Sequence, residues 1–229
     1  MWDACLNVRD LGGLPCGDSR LSRGKLIRSS IIGTLSQAGR DAVRDHGIRS
    51  VIDLRTAEEV AETPSPYRDG ASYRHAPFTA ARTMGLHRAA VAGTMSDELR
   101  RLAVADGGLA LAMQAIAESE PGIVIHCLAG RDRTGIVVAL TLAAIGVADE
   151  EIVADYVMSD VELADDYAQF TALHPDQTEI IETAIEQRAW TMREVLTTLR
   201  LAFGGARSYL GIAGVASGQV DRIQAKLLG

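Results

Sequence analysis

The chain is poor in cysteine, aromatic residues, proline and lysine, and it has no long apolar run. Three cysteines in 229 residues are too few, and odd in number, for a disulfide framework. Cys5, Cys16 and Cys127 are therefore read first as free thiols in a reducing compartment. No stretch approaches the roughly 20 apolar residues a membrane-spanning helix needs. The start, Met1-Trp2-Asp3, lacks a basic segment followed by an apolar one, so a soluble cytoplasmic protein is expected. Lysine is confined to Lys25 and Lys226, whereas 21 arginines are scattered along the chain. With a net charge of −7, no net positive field exists to hold nucleic acid or an anionic membrane, and an anionic ligand must be captured locally. Only six prolines occur, with no linker-like tract and no repeat. A hydrophobic content of 47% suffices for one sizeable core, so a single domain over residues 1–229 is expected.

What is present alternates strand with helix. Lys25 to Arg28 reads as a strand, Ser36 caps a helix ending at Gly47, and Ile48 to Leu54 reads as a second strand. Thr56-Ala57-Glu58-Glu59 is a capping-box pattern opening a short helix before Pro64. Ser72 to Ala76 is a third strand, and residues 80–119 are helical with breaks at Gly93 and Gly107-Gly108. The methionines there, Met84, Met95 and Met113, fit either core or a helical cover. After Pro121-Gly122, Ile123-Val124-Ile125-His126-Cys127 has the continuous apolar start of a strand buried on both faces. Thr134 to Ile145 has no charge and ends at Gly146, the pattern of a buried helix. The last third is helical, with Asp149 and Ser217 as caps. The expected class is α/β, a central, mostly parallel sheet flanked by helices.

The strand and the buried helix meet at His126 to Gly135, HCLAGRDRTG. An arginine six positions after a cysteine is common by chance, but this one lies on a loop joining a strand to a helix. Such a loop aims successive backbone N–H groups at one point, and the helix dipole adds positive character, which makes an anion site. In that field Cys127 is expected to ionise readily and act as a nucleophile. Arg133 offers a planar fork of donors to two phosphoryl oxygens. His46, His75, His87 and His174 share no ligand spacing, and no H-x-x-x-H or C-x-x-C occurs; no metal and no cofactor is expected.

HCLAGRDRTG resembles the HC-x5-R-[ST] active-site loop of the cysteine-dependent protein tyrosine phosphatase superfamily. Asn7-Val8-Arg9-Asp10-Leu11-Gly12-Gly13, followed by Arg23-Gly24-Lys25-Leu26-Ile27-Arg28-Ser29, resembles one bacterial branch of it over nearly the whole chain. The resemblance implies metal-independent hydrolysis of phosphomonoesters, with phosphotyrosine protein, a small phosphomonoester or a phosphoinositide as substrate. It implies Cys127 as the residue that becomes phosphocysteine and Leu128, Ala129, Gly130, Arg131, Asp132 and Arg133 as the phosphate-binding loop. Thr134 would stabilise the departing thiolate, and His126 would order the loop. For the proton donor Asp132 comes first and Asp53 second, because the only Pro-Asp pair, Pro175-Asp176, follows the cysteine loop. Arg9 and Asp10 are expected to hold the N-terminal turn. Two other classes share parts of this pattern: a catalytically silent module that binds phospho-ligands, and a thiol-based sulfurtransferase or arsenate reductase.

Overall fold

The computed structural model of the chain describes residues 2–70, 72–79, 83–104 and 107–229. Its strands are β1 (Arg9–Asp10), β2 (Pro15–Cys16), β3 (Ser19–Arg20), β4 (Leu26–Ser29), β5 (Ser50–Asp53), β6 (Tyr73–His75) and β7 (Ile123–His126). Five form one sheet in the order β1-β4-β7-β5-β6, and β2 pairs with β3 in a separate hairpin. β4, β7, β5 and β6 run parallel, with β1 antiparallel at the edge beside β4. β7 is central, and the register places Ser29 and Asp53 on either side of His126.

Strand alternation divides the core. Ile52, Ile123 and Ile125 enter a large cluster on one face. Ile27, Val51 and Val124 pack on the other with Trp2, Ile32, Leu35 and Val43. The sequence expectation for β7, burial on both faces, is met, since all four of its residues are buried.

The helices are α1 (Gln37–Asp45), α2 (Ala57–Glu62), α3 (Thr83–Ala92), α4 (Met95–Val104), α5 (Gly108–Glu118) and α6 (Asp132–Ile145). They continue as α7 (Asp149–Glu162), α8 (Ala164–Leu173), α9 (Thr178–Glu186), α10 (Arg188–Phe203), α11 (Ala206–Ile212) and α12 (Ser217–Leu228). Ser36 caps α1 by accepting from the Gly39 N–H, and the Thr56/Glu59 capping box opens α2, as the sequence predicts. Two caps fall one residue earlier. Ala148 and Ala216 occupy the positions read as Asp149 and Ser217. Asp149 instead lies in the first turn of α7, where a carboxylate complements the helix dipole, and pairs with Arg200 at 2.5 Å. For α12, the Gln219 side chain accepts from the Ala216 N–H, so no hydroxyl cap is required.

Residues 80–82 and 105–106 and the side chain of Met84 lie outside the described residues. Over the rest of that segment Leu86, Met95, Leu99, Leu102 and Met113 are buried in the large core, and α3 and α4 pack on α10. The described part of the segment is packed into the core. α6 begins two residues earlier than its apolar run indicates, at Asp132, so its first turn carries Asp132 and Arg133. No helix among the described residues is long and apolar enough to cross a membrane.

Candidate active site

The chain leaves β7 at His126 and turns through Cys127, Leu128, Ala129, Gly130 and Arg131 into α6. The turn closes so tightly at Gly130 that only glycine fits: its φ is +68°, and a Cβ there would lie 2.1 Å from the Ser29 carbonyl oxygen. Three loop carbonyls are bonded outward. Leu128 O accepts from Ile31 N at 2.8 Å, Ala129 O from Asn7 Nδ2 at 3.0 Å, and Gly130 O from Arg28 Nη2 at 2.6 Å. In a trans peptide the N–H points opposite to its C=O. The N–H groups of Ala129, Gly130 and Arg131 are thereby turned to the inside of the loop, beside the positive end of α6.

The support behind the loop is itself charged. Arg28 is fully buried and pairs with Asp155 at 2.5 Å, while Arg9 holds the other oxygen of Asp155 at 2.6 Å. Burial opposes the charge on Asp155, but the two guanidiniums hold its pKa below the ordinary carboxylate value. A depressed folded value means that stability from this group is present above its unfolded pKa of about 3.9 and is lost as pH falls through the folded value. Asp155→Asn is expected to destabilise the protein at pH 7 by about 3–5 kcal/mol, because the buried Arg28 and the half-buried Arg9 lose their counter-charge. In denaturant titrations that difference should shrink below about pH 4; an unchanged difference in acid would contradict the assignment. Asp10 ties the N-terminal turn as expected, accepting from Gly12 N at 2.8 Å and Gly24 N at 2.9 Å.

A cleft of about 500 Å³ opens in front of the loop, lined by Thr56, Glu59, Thr79 and the loop residues Cys127 to Ala129 and Arg131 to Arg133. Arg133 enters it paired fork to fork with Glu59, at 2.5 and 2.7 Å. Burial works against the Arg133 charge, but the Glu59 bonds and the neighbouring acidic groups hold its pKa above the ordinary value. The Arg133 bond depresses that of Glu59. A guanidinium carries five N–H donors, so an end-on carboxylate leaves the Nε edge for an oxyanion.

Asp132 closes a ring of charges. Its two oxygens accept from Arg131 Nε at 2.8 Å and Nη2 at 3.1 Å. Arg131 Nη1 donates to the Tyr167 hydroxyl, which donates to Asp160 Oδ1 at 3.3 Å. Asp160 Oδ2 lies 2.9 Å from Arg188 Nε, and Arg188 Nη1 lies 3.9 Å from Asp132. Arg188 is 2% exposed and reaches the site from α10.

Of the residues expected from the sequence, Cys127, Leu128, Ala129, Arg131, Asp132 and Arg133 line the cleft, and Gly130 forms the turn behind it. Cys127 is 3% exposed. Thr134 is fully buried in the first turn of α6, its hydroxyl without a hydrogen-bond partner among the described residues. His126 is also fully buried, with Nδ1 3.1 Å from the Cys127 carbonyl and Nε2 3.6 Å from Asp53. Burial keeps its pKa below the usual histidine value, so that last contact joins a neutral ring to a carboxylate. Arg131, expected to add charge to the phosphate site, has its guanidinium engaged by Asp132 and Tyr167.

Asp53 is not brought to the cleft. It is fully buried, accepts from Arg55 Nη2 at 2.7 Å and the Tyr73 hydroxyl at 2.9 Å, and is held below its ordinary pKa, against burial, by the Arg55 guanidinium. Arg55 in turn donates to the carbonyls of Glu59 and Thr63. Asp53 thus anchors the helix that presents Glu59 to Arg133.

The sequence reading gave no site role to Glu59, Asn7 or Arg28, although it named all three in motifs, and it missed Asp155, Tyr167 and Arg188 altogether. Arg28 carried a signal: a charged residue that follows Leu26 and Ile27 in an interior strand must find a buried partner. The two other cysteines are buried away from the chemistry. Cys5 packs on Ser30, with burial raising its pKa, and Cys16 Sγ contacts the Ile145 carbonyl at 3.1 Å. Among the described residues, no cluster of three or more His, Cys, Asp or Glu is arranged to hold a metal ion.

Comparison with known proteins finds phosphatases similar to this chain. The "Triple specificity protein phosphatase PtpB" of Mycobacterium tuberculosis is 29% identical to this chain, over 97% of it and 96% of the relative. A "Tyrosine-protein phosphatase" of Nostoc commune is 29% identical over 93% of this chain and 77% of the relative. The model of a family described as "Tyrosine phosphatase family" matches residues 1–229. The chain belongs to the tyrosine phosphatase family.

Proposed function

We propose that the chain hydrolyses phosphotyrosine through a phosphocysteine intermediate, as a single domain working in the cytoplasm. The observation that carries this reading is the loop itself: three carbonyls tied outward, Cys127 at its start and Arg133 at its end. Cys127 Sγ attacks phosphorus, an S–P bond forms, the P–O bond to the phenol breaks, and Asp132, protonated with one oxygen released from the Arg131 fork, gives its proton to the departing oxygen. Water then attacks phosphorus, the S–P bond breaks, Asp132 takes a proton from the water, and the Thr134 hydroxyl bonds the released sulfur. Throughout, the inward N–H groups and Arg133 hold the equatorial oxygens, where negative charge spreads.

Wild-type protein should release phosphate from an aryl phosphate and from phosphotyrosine peptides in the presence of a chelator, with inhibition by vanadate. Binding of phosphate without turnover would support the silent-module reading. Turnover of thiosulfate or arsenate alone would support the thiol-transfer reading. The relative named for triple specificity makes phosphoserine and phosphoinositide the comparison substrates to run beside phosphotyrosine.

The proton donor has its own test. Asp132→Asn is expected to lower kcat on an alkyl phosphate by about 10²–10³-fold, and far less on an activated aryl phosphate whose leaving group needs no proton. Asp53→Asn should show no such leaving-group dependence and should lower stability instead. Arg188→Gln, which opens the ring around Asp132, should shift the leaving-group ratio in the same direction as Asp132→Asn and add nothing to it in the double variant. Equal losses on both substrates for Asp132→Asn would remove it from the role.

A further inference from the structure

The cleft continues past Arg131. A second hollow of about 460 Å³ shares Ala129 and Arg131 with it. Its wall carries the apolar side chains of Leu163, Phe170 and Ile181 and the Tyr167 ring, interspersed with Gln169, Gln177 and the Asp166 carboxylate. α8 buries none of its own residues. Phe170, Leu173 and Ile180, at 40%, 78% and 55% exposure, leave an uncovered apolar surface next to the hollow.

An apolar face beside a phosphate site suits either a lipid surface or a peptide, and the charge around it decides between them. From Thr134 to Gln187 the sequence has twelve carboxylates and not one lysine or arginine. Asp149, Glu150, Asp155 and Asp160 are paired with arginines from elsewhere. Glu162, Asp165, Asp166, Asp176, Glu179, Glu182 and Glu186 are exposed and form no ion pair among the described residues. Arg131, the cation in the wall, is already neutralised by Asp132. Asp166 stands in the wall of the hollow, and the other six lie along the segment from the end of α7 to α9 that supplies that wall; this acidic rim repels an anionic bilayer and attracts a cationic peptide.

We infer that the hollow receives residues flanking the phosphotyrosine of a peptide that combines an apolar side chain with neighbouring lysine or arginine, and that the protein selects basic phosphotyrosine peptides over phosphoinositides in anionic membranes. The inference rests on the phosphatase reading above. It makes the negative charge of the chain part of substrate choice: the loop supplies the positive potential for the phosphate, and the rim supplies negative potential for what surrounds it.

The test compares kcat/KM on matched phosphotyrosine peptides with an apolar neighbour and lysine, neutral or glutamate flanks. A small aryl phosphate and a phosphoinositide in phosphatidylserine-containing vesicles are run beside them. At low salt the lysine-flanked peptide should exceed the glutamate-flanked one by about tenfold, through KM, and the gap should narrow at high salt. Asp166→Lys should reduce the lysine-flanked peptide relative to the aryl phosphate. A preference for the glutamate-flanked peptide, faster hydrolysis of the vesicle-bound lipid, or a peptide-to-aryl ratio unmoved by Asp166→Lys would overturn the inference. Failure of the wild type to hydrolyse even the aryl phosphate would instead refute the phosphatase reading.

Discussion

Cys127→Ser should lower turnover of any phosphomonoester by about 10⁴-fold or more, the scale on which loss of a nucleophile is felt. The substitution removes one sulfur for one oxygen at a site 3% exposed, and none of the outward bonds that shape the loop passes through its side chain. The fold and the anion cradle should survive, so inorganic phosphate should still compete with a fluorescent phospho-ligand for the variant. A hydroxyl is a far weaker nucleophile at neutral pH, and the alkoxide is a far worse leaving group in the second step. Substantial turnover by the serine variant, after exclusion of wild-type contamination, would mean that the chemistry lies elsewhere.

Arg133→Lys is the second large effect, with an expected loss in kcat of about 10²–10³-fold, comparable to removing a preorganised donor from a developing oxyanion. Lysine keeps the charge but has no planar fork. It can meet neither both oxygens of Glu59 nor two oxygens of the phosphoryl group at once. Arg133 has two jobs, since its Nη atoms clamp Glu59 at 2.5 and 2.7 Å while the residue lines the cleft with its Nε donor left over for a phosphoryl oxygen. Glu59→Gln tests the clamp separately: it keeps the shape and removes the charge, and it should lower kcat less than Arg133→Lys does. A lysine variant with activity close to the wild type would show that charge alone suffices.

Much of this site was legible in the chain. The loop was visible because its strand is an unbroken apolar run and its helix, from Thr134 to Ile145, is uncharged; both signals are local and strong. Asp132 and Arg133 fall in the first turn of α6 because an N-terminal helical turn can be built from residues that belong to the loop. The capping box at Thr56 and Glu59 was readable for the same local reason. Its second use was not, because the Glu59 carboxylate meets an arginine 74 positions away and nothing in the box itself signals that partner. The ring through Asp132, Arg131, Tyr167, Asp160 and Arg188 joins four helices, and no periodicity in any of them marks it. Asp53 was misleading in the opposite way: an aspartate at a strand end beside the loop looks like a catalytic acid, until Arg55 and Tyr73 are seen to occupy it. The scarcity of lysine was uninformative, but the absence of any basic residue between Arg133 and Arg188 gained meaning once α7 to α9 were found beside the cleft.

The measurement that tests the central claim most directly is acid-quench trapping of the intermediate. The protein is mixed with a radiolabelled aryl phosphate, quenched within one turnover and digested, and the labelled peptide is sequenced. Thr134→Ala, expected to slow the second step, should increase the trapped fraction. The account predicts label on Cys127, chased by unlabelled substrate at the rate of turnover. Label on Cys5, Cys16 or a histidine, or turnover with no covalent label in either protein, would contradict it.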